Sequence, residues 1–414
     1  VSDRPPRALW AGRTLALCGI ILVAATLRTA VAGLSPIVSE ISADIPLSAT
    51  AIGVLGMLPP VCFAVFGIFT PVYTRRLGLE NVLLLALTAM LIGHLTRGLA
   101  GSLTVLMIGS VVTFAGLGVG NVLLPPLVKK YFPDRIGLIT SLYVTTLALS
   151  TLFPPLIAVP VAEAAGWRVS LGLWLLPVVI ALVPWLTMLV RHRVQVTPGA
   201  VVDEAEPALV GRVWRSSIAW ALAVVFAASS LNAYAMFAWL PQLLIDTAGV
   251  TPAQAGTLLS VYAAMGIPCA LLIPWLTARM RNVAVLVYLG VAVFLIGDIG
   301  LLLAPTTLTW LWVIMAGLGP LLFPLVLVLI NLRTRTHAGS VALSGFVQSV
   351  GYTIGALGPL SVALLHELTG AWTAPLIFLI GTALAITVAG AVIARPHLLE
   401  DDLESSRGRG APLI

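Results

Sequence analysis

Apolar residues in this chain neither alternate with period two nor gather in narrow stripes. They run in blocks of about twenty, divided by charges, prolines and glycines, and that is the length a helix needs to cross the hydrocarbon core of a bilayer. The short alternating strands of a barrel would leave a different pattern. The breaks place spans at residues 13–36, 49–73, 81–99, 103–128, 136–161 and 168–190. After the polar stretch 191–215 they place six more, at 216–241, 253–277, 283–304, 307–331, 338–365 and 372–394. The pattern predicts an all-α membrane protein of twelve transmembrane helices in two six-helix bundles, 1–190 and 216–394, joined by a cytosolic linker at 191–215 and followed by a cytosolic tail at 395–414.

Composition leaves little room for anything else. Of 414 residues, 59% are hydrophobic and 9% charged, whereas a soluble domain is about a quarter charged. The basic stretch before the first span lacks a small-residue cleavage site and reads as a cytosolic tail rather than a signal peptide. The net charge of +6 reads as loop anchoring, not as a nucleic-acid surface. With both termini in the cytosol, nineteen Lys and Arg fall inside, Arg75, Arg76, Lys129, Lys130, Arg333 and Arg335 among them, against Arg97 and Arg168 in outside loops. That asymmetry sets the orientation, and the location expected is the cell (inner) membrane. Cys18, Cys62 and Cys269 lie in apolar spans without metal-ligand spacing, so they read as buried thiols, and neither a metal nor a cofactor is expected.

Arg28 is the exception to the charge map, since it falls inside the apolar run Leu15–Pro36. A cation at that depth costs roughly 2.5 to 3.5 kcal/mol on insertion scales, which makes it a functional candidate with a partner to be found. The first half of the chain offers no acid at similar depth, so the expected partner is an anionic or strongly polarised small molecule.

The halves repeat weakly. Pro71-Val-Tyr-Thr74-Arg75 recurs as Pro274-Trp-Leu-Thr277-Ala-Arg279, Gly116-Leu-Gly118 as Gly317-Leu-Gly319, and Gly166-Trp167 as Gly370-Ala-Trp372. Two six-helix halves related about an axis along the membrane normal are the arrangement of the major facilitator superfamily, with a substrate site near the midplane between them. The chain resembles the cyanate permease and 2-nitroimidazole transporter branch of that superfamily over nearly its whole length. The likeness is carried by Leu27-Arg28-Thr-Ala, by Gly116-Leu-Gly-Val-Gly120-Asn121-Val-Leu-Leu-Pro125 running to Lys129 and Phe132-Pro133, by Tyr143, by Trp239-Leu-Pro241, and by Ser344-Gly-Phe-Val-Gln348-Ser-Val-Gly351-Tyr352 with Gly358-Pro359. It departs from the superfamily at the loop between spans 2 and 3, where Arg75 stands at the position of the usual Asp, and it lacks the glycine-rich span-5 signature of drug and proton antiporters.

The resemblance implies a central cavity flanked by spans 5 and 11, hence candidate substrate contacts at Tyr143, Gln348 and Tyr352, the last two on one helix face. Arg28 suits a small oxyanion through bidentate bonds; its rival role is a structural arginine bonded to backbone carbonyls. Asn121, Asn232 and Tyr234 are further candidates for the cavity, each with plain interhelical bonding as the alternative. Trp239 with Pro241 is a candidate gate, Pro241 interrupting the outer end of span 7, unless Trp239 is an interfacial anchor like Trp167, Trp310 and Trp372. Asp298 in span 9 and His94 in span 3 are candidate proton carriers, while His366-Glu367 reads as a solvated rim.

No H-E-x-x-H, G-x-S-x-G or G-x-x-x-x-G-K-[ST] occurs, so neither an enzyme nor an ATP-driven pump is expected. The function expected is a monomeric secondary transporter that moves a small anionic or polar solute, a cyanate-like anion or nitroimidazole-like heterocycle, by alternating access with low affinity. Protons are the candidate coupling ion. Proton-coupled drug efflux and a non-transporting membrane sensor are the alternatives.

Overall fold

The structure, a computed structural model, describes residues 13–191, 213–280, 282–395 and 398–402. The tail before Arg13, most of the 191–215 linker and the end of the C-terminal tail lie outside the described residues, with Arg4, Arg7, Arg193, Arg212, Arg281, Arg407 and Arg409. Among the described residues twelve apolar helical spans follow one another: α1 (Thr14–Asp44), α2 (Ala49–Leu77), α3 (Leu79–Gly98), α4 (Leu103–Tyr131), α5 (Ile136–Ala165), α6 (Trp167–Val190), α7 (Ser217–Ala248), α8 (Pro252–Thr277), α9 (Ala284–Leu303), α10 (Thr309–Leu332), α11 (Gly339–Thr369) and α12 (Thr373–Ile393). Hydroxyl N-caps start several of them. Ser48 accepts from Ala51 N (3.1 Å), Ser216 from Ala219 N (3.3 Å), and Thr251 forms a reciprocal capping box with Gln254.

The face on which α1 begins carries Arg75, Arg76, Lys129, Lys130, Arg333 and Arg335 and is called the basic face; α1 ends at the far face. At the basic face Arg13 reaches from the start of α1 to Tyr131 O (2.9 Å) and Asp134 (2.7 Å), and Glu80 of α3 accepts from Tyr131 (2.7 Å) and pairs with Lys130. The guanidinium of Arg13 holds the Asp134 carboxyl below the usual carboxylate range.

Two spans run well past their expected ends. Span 1 does not stop at Pro36 but resumes through a 3-10 turn, Ser35–Ile37, and a helix to Asp44. Span 7 does not break at Pro241 but continues as helix to Ala248. The carbonyl that Pro241 leaves without a helical donor is Phe237 O, and Ser35 Oγ of α1 donates to it at 2.6 Å. A neighbouring helix thus satisfies the freed group, which is the condition under which membrane helices tolerate proline.

The repeat is visible in three dimensions. Trp167 Nε1 at the head of α6 donates to Asp44 at the tail of α1 (2.9 Å), and Trp372 Nε1 at the head of α12 donates to Asp246 at the tail of α7 (2.9 Å). Both indoles are buried, so neither is the lipid-interface anchor expected; Trp310 is exposed. A further match joins the peripheral spans, Leu91-Ile92-Gly93-His94 with Leu295-Ile296-Gly297-Asp298.

Each half has its own core, one around Leu83, Leu87, Met90 and Leu117, the other around Phe226, Val287, Phe294 and Leu325. The three α4 glycines serve three different neighbours. A Cβ at Gly116 would crowd α3 (2.7 Å from Met90 Cγ), at Gly118 α2 (3.1 Å from Phe63 Cα), and at Gly120 α1 (2.7 Å from Leu27 Cδ2). Small residues here let backbones approach. Outward-facing positions such as Leu85, Ile92, Val183 and Val388 are large and apolar, as a lipid-facing surface requires.

Candidate functional site

Arg28 sits where α1 is interrupted. The first helical segment ends at Thr26, Arg28 has φ −124° and ψ −9°, and helix resumes at Thr29. Hydroxyls cover carbonyls loosened by the break, Thr29 Oγ1 donating to Thr26 O (3.0 Å) and Ser150 Oγ of α5 to Ala24 O (3.5 Å). Irregular backbone at membrane depth is tolerated when it lines a cavity, and here it does.

That cavity lies between the halves in two confluent lobes of about 700 and 440 Å³, both lined by Arg28, Asn121, Phe323, Leu327 and Tyr352. The larger lobe extends along Gly67, Asn331, Ser340 and Ser344 to the basic face, and the smaller reaches Tyr143, Tyr234 and Tyr262. The guanidinium lies 5.5 Å from the Phe63 ring centroid, near enough to Tyr234 and Tyr352 to interact with both phenols. Among the described residues, no carboxylate pairs with it and no backbone carbonyl accepts from it.

Beyond Arg28 the passage is shut. A void of about 30 Å³, lined by Val31, Ser110, Tyr234 and Phe237, remains on the far-face side, room for about one water. The Ser35–Phe237 bond spans the two halves above it, and Glu367 of α11 accepts from Thr50 N (2.8 Å) and Oγ1 (2.6 Å) of α2. A Cβ at Gly53 would fall 2.7 Å from Ala363 Cβ and 3.0 Å from Pro359 O, and one at Gly56 2.7 Å from Ala238 Cβ, so α2 packs against α11 and α7 at backbone distance. The molecule is open to the basic face and closed at the far face.

Of the residues singled out in the sequence, Arg28, Asn121, Tyr143, Tyr234, Gln348 and Tyr352 line the cavity. Gln348 donates one amide hydrogen to Ser344 Oγ (2.7 Å), and Asn121 donates to Leu117 O of its own helix (3.2 Å). Asn232 does not line it. Two residues before Tyr234, it falls on the opposite side of α7, fully buried, where Nδ2 donates to Ala228 O (2.9 Å) and Thr382 Oγ1 of α12 (2.8 Å). Asn232→Ala is expected to cost about 1 kcal/mol of stability while leaving ligand binding unchanged, which thermal unfolding with and without solute would check.

Trp239 is buried in the far-face closure, with Nε1 donating to Pro359 O (2.9 Å) and its ring edge-on to Trp372 (5.8 Å). His366 stacks on Trp372 at 4.2 Å and so belongs to that closure, while Glu367 is exposed, as expected of a solvated rim, and bonds Thr50 from there. His94 and Asp298 are fully buried away from the cavity. Arg97, expected in an outside loop, is buried near the end of α3 with its guanidinium 5.7 Å from the Phe114 ring centroid, a second cation enclosed by the protein. Tyr262 and the aromatic wall of Phe63, Phe237 and Phe323 went unremarked in the sequence. Tyrosine is scarce here, seven in 414 residues, and four of them line the smaller lobe or both lobes, so its placement in apolar spans was the usable signal.

The family model for the Major Facilitator Superfamily matches residues 18–359. The chain belongs to the Major Facilitator Superfamily. It is 34% identical to "Uncharacterized transporter YycB" of Bacillus subtilis over 90% of this chain and 92% of that one. It is 31% identical to the 2-nitroimidazole transporter of Escherichia coli (92% and 96% covered) and 24% identical to the cyanate transport protein CynX of the same species (85% and 90% covered). The fold matches a bacterial homologue of the human lysosomal transporter Spinster in an inward-facing and occupied conformation, with TM-score 0.74 at 16% identity over 97% and 99% of the two chains. The resemblance read from span 1, span 4 and span 11 is therefore to the right branch of the Major Facilitator Superfamily, a family of transporters rather than enzymes.

Proposed function

We propose that the protein is a secondary active transporter of a small anionic or polar solute, a cyanate-like anion or nitroimidazole-like heterocycle, working by alternating access with both termini in the cytosol. The observation that carries this is Arg28, a cation without an acidic partner among the described residues, at a helix break facing a cavity between the two halves. Its planar fork offers paired donors to an oxyanion, while Tyr143, Tyr234, Tyr352, Gln348 and Asn121 supply further polar groups within apolar walls. The basic face is the cytosolic one, because cationic loops are retained there, so the conformation described is inward-open. The relatives with named solutes support the same chemical range.

Counterflow in proteoliposomes tests this reading. Vesicles preloaded in turn with unlabelled cyanate, nitrite or 2-nitroimidazole are diluted into the labelled compound, and transient accumulation above equilibrium is expected for at least one. Absence of accumulation for all three, with protein shown to be correctly inserted, would remove the proposed substrate class.

A further inference from the structure

Asp298 lies in α9, fully buried, and neither carboxylate oxygen has a hydrogen-bond partner among the described residues. Tyr262 of α8, whose own hydroxyl is buried without a partner, stands near enough to the carboxyl to interact with it electrostatically. Among the described residues, the elements packed most closely on α9 bring no other ionisable side chain. The spans Thr309–Leu332 and Thr373–Ile393 carry none, α8 adds only Cys269, whose thiol donates to Leu318 O, and α9 itself adds only Tyr288, more than two turns nearer the basic face. A bare carboxylate in such a site carries a heavy desolvation cost, which the neutral acid avoids.

The surroundings tie that acid to the transport pathway. Gly297 packs on Ala316 of α10, where a Cβ would fall 2.8 Å from Ala316 Cα, and Gly317, the next residue, packs on Tyr262, where a Cβ would fall 2.8 Å from Tyr262 O. Carboxyl, phenol and the Ala316–Gly317 backbone thus form one node of α8, α9 and α10. Immediately beside it both cavity-lining helices are interrupted, α8 at Met265 and α10 at the 3-10 turn Gly319–Leu321. Tyr262 lines the smaller lobe and meets Phe237 edge-on at 5.5 Å, and Phe237 O is the acceptor of the Ser35 bond that closes the far face.

We propose that Asp298 is a proton-binding site, reached from the cavity through Tyr262, whose loading is tied to the packing of α8 and α10. The proposal rests on the transport reading above. When α8 and α10 shift, the Tyr262 hydroxyl comes within hydrogen-bond reach of the carboxyl. The carboxyl proton then passes to the phenolic oxygen as the phenol's own proton passes to a cavity water, leaving a carboxylate that accepts from a neutral phenol.

Two readouts test it, one independent of any solute. In lipid nanodiscs, infrared difference spectra against pH are expected to show the carbonyl band of a protonated carboxylic acid that Asp298→Asn lacks and Asp298→Glu retains at a shifted position. Tyr262→Phe should keep the band but slow its hydrogen–deuterium exchange by about tenfold or more, the size expected when a positioned proton-transfer group is lost. In proteoliposomes with 2-nitroimidazole as probe, Asp298→Asn should lose stimulation by an imposed pH gradient while counterflow stays within about twofold of wild type. An unchanged acid band, or full gradient stimulation, in Asp298→Asn overturns the site, and unchanged exchange in Tyr262→Phe overturns the route. Should wild type move none of 2-nitroimidazole, cyanate and nitrite, the transport reading fails, while the infrared band still decides Asp298. If Asp298→Asn does not fold, a band in Asp298→Glu identical to wild type overturns the assignment.

Discussion

Arg28→Ala is expected to abolish counterflow of cyanate and nitrite, with binding weakened by about a hundredfold, since charge-assisted hydrogen bonds contribute about 1.5 to 3 kcal/mol each. The reason is local. The guanidinium is the cation that faces both lobes, and its protein neighbours are an aromatic ring and two phenols rather than a carboxylate. Arg28→Lys keeps the charge but loses the planar fork, so an oxyanion should be recovered in part, at about a tenfold penalty. A neutral heterocycle depends less on charge and should suffer less from either change. Fluorescence or calorimetric titration of purified protein, run alongside flux, separates lost binding from lost movement. Equal losses for the anions and the heterocycle in Arg28→Ala would mean that the arginine holds the helix break together rather than meeting solute.

The second large effect is conformational. Gly53→Val should spread the far-face closure, because its first side-chain carbon would fall 2.7 Å from Ala363 Cβ and 3.1 Å from Leu360 Cα, and the latter is backbone that cannot swing aside. Overpacking of this kind costs about 1 to 3 kcal/mol, and a cost borne only by the far-face-closed state shifts the populations by about five- to more than a hundredfold. Spin labels at exposed Ala43 of α1 and Leu368 of α11 report the separation by pulsed dipolar spectroscopy, with a longer distance expected in Gly53→Val. Gly381→Val is the control, since a Cβ there meets nothing within 4 Å. A distance distribution unchanged in Gly53→Val would place the closing contacts elsewhere.

The outer latches explain where proline misled a reading by pattern. Pro36 and Pro241 each looked like the end of a span, yet both spans continue, and it is Ser35 beside one proline that satisfies the carbonyl freed by the other. Local sequence contains the lost hydrogen bond but not its replacement, which comes from the other half of the molecule. The same limit applies to Asn232 and Tyr234. Both are polar groups in an apolar run two residues apart, and only the rotation of α7 decides that Tyr234 meets the cavity while Asn232 bonds Thr382.

By itself the sequence determined the class and count of elements, because a helix in lipid must be about twenty apolar residues long and any departure is visible in one dimension. It also determined the family and the prominence of Arg28, since a charge is conspicuous against such a background. The tertiary structure alone decided which polar groups face solute, which tie helices together, and which face of the molecule is open. Those outcomes depend on helix rotation and on contacts between residues some two hundred positions apart, such as Ser35 with Phe237, and no local pattern records the angle at which two helices meet.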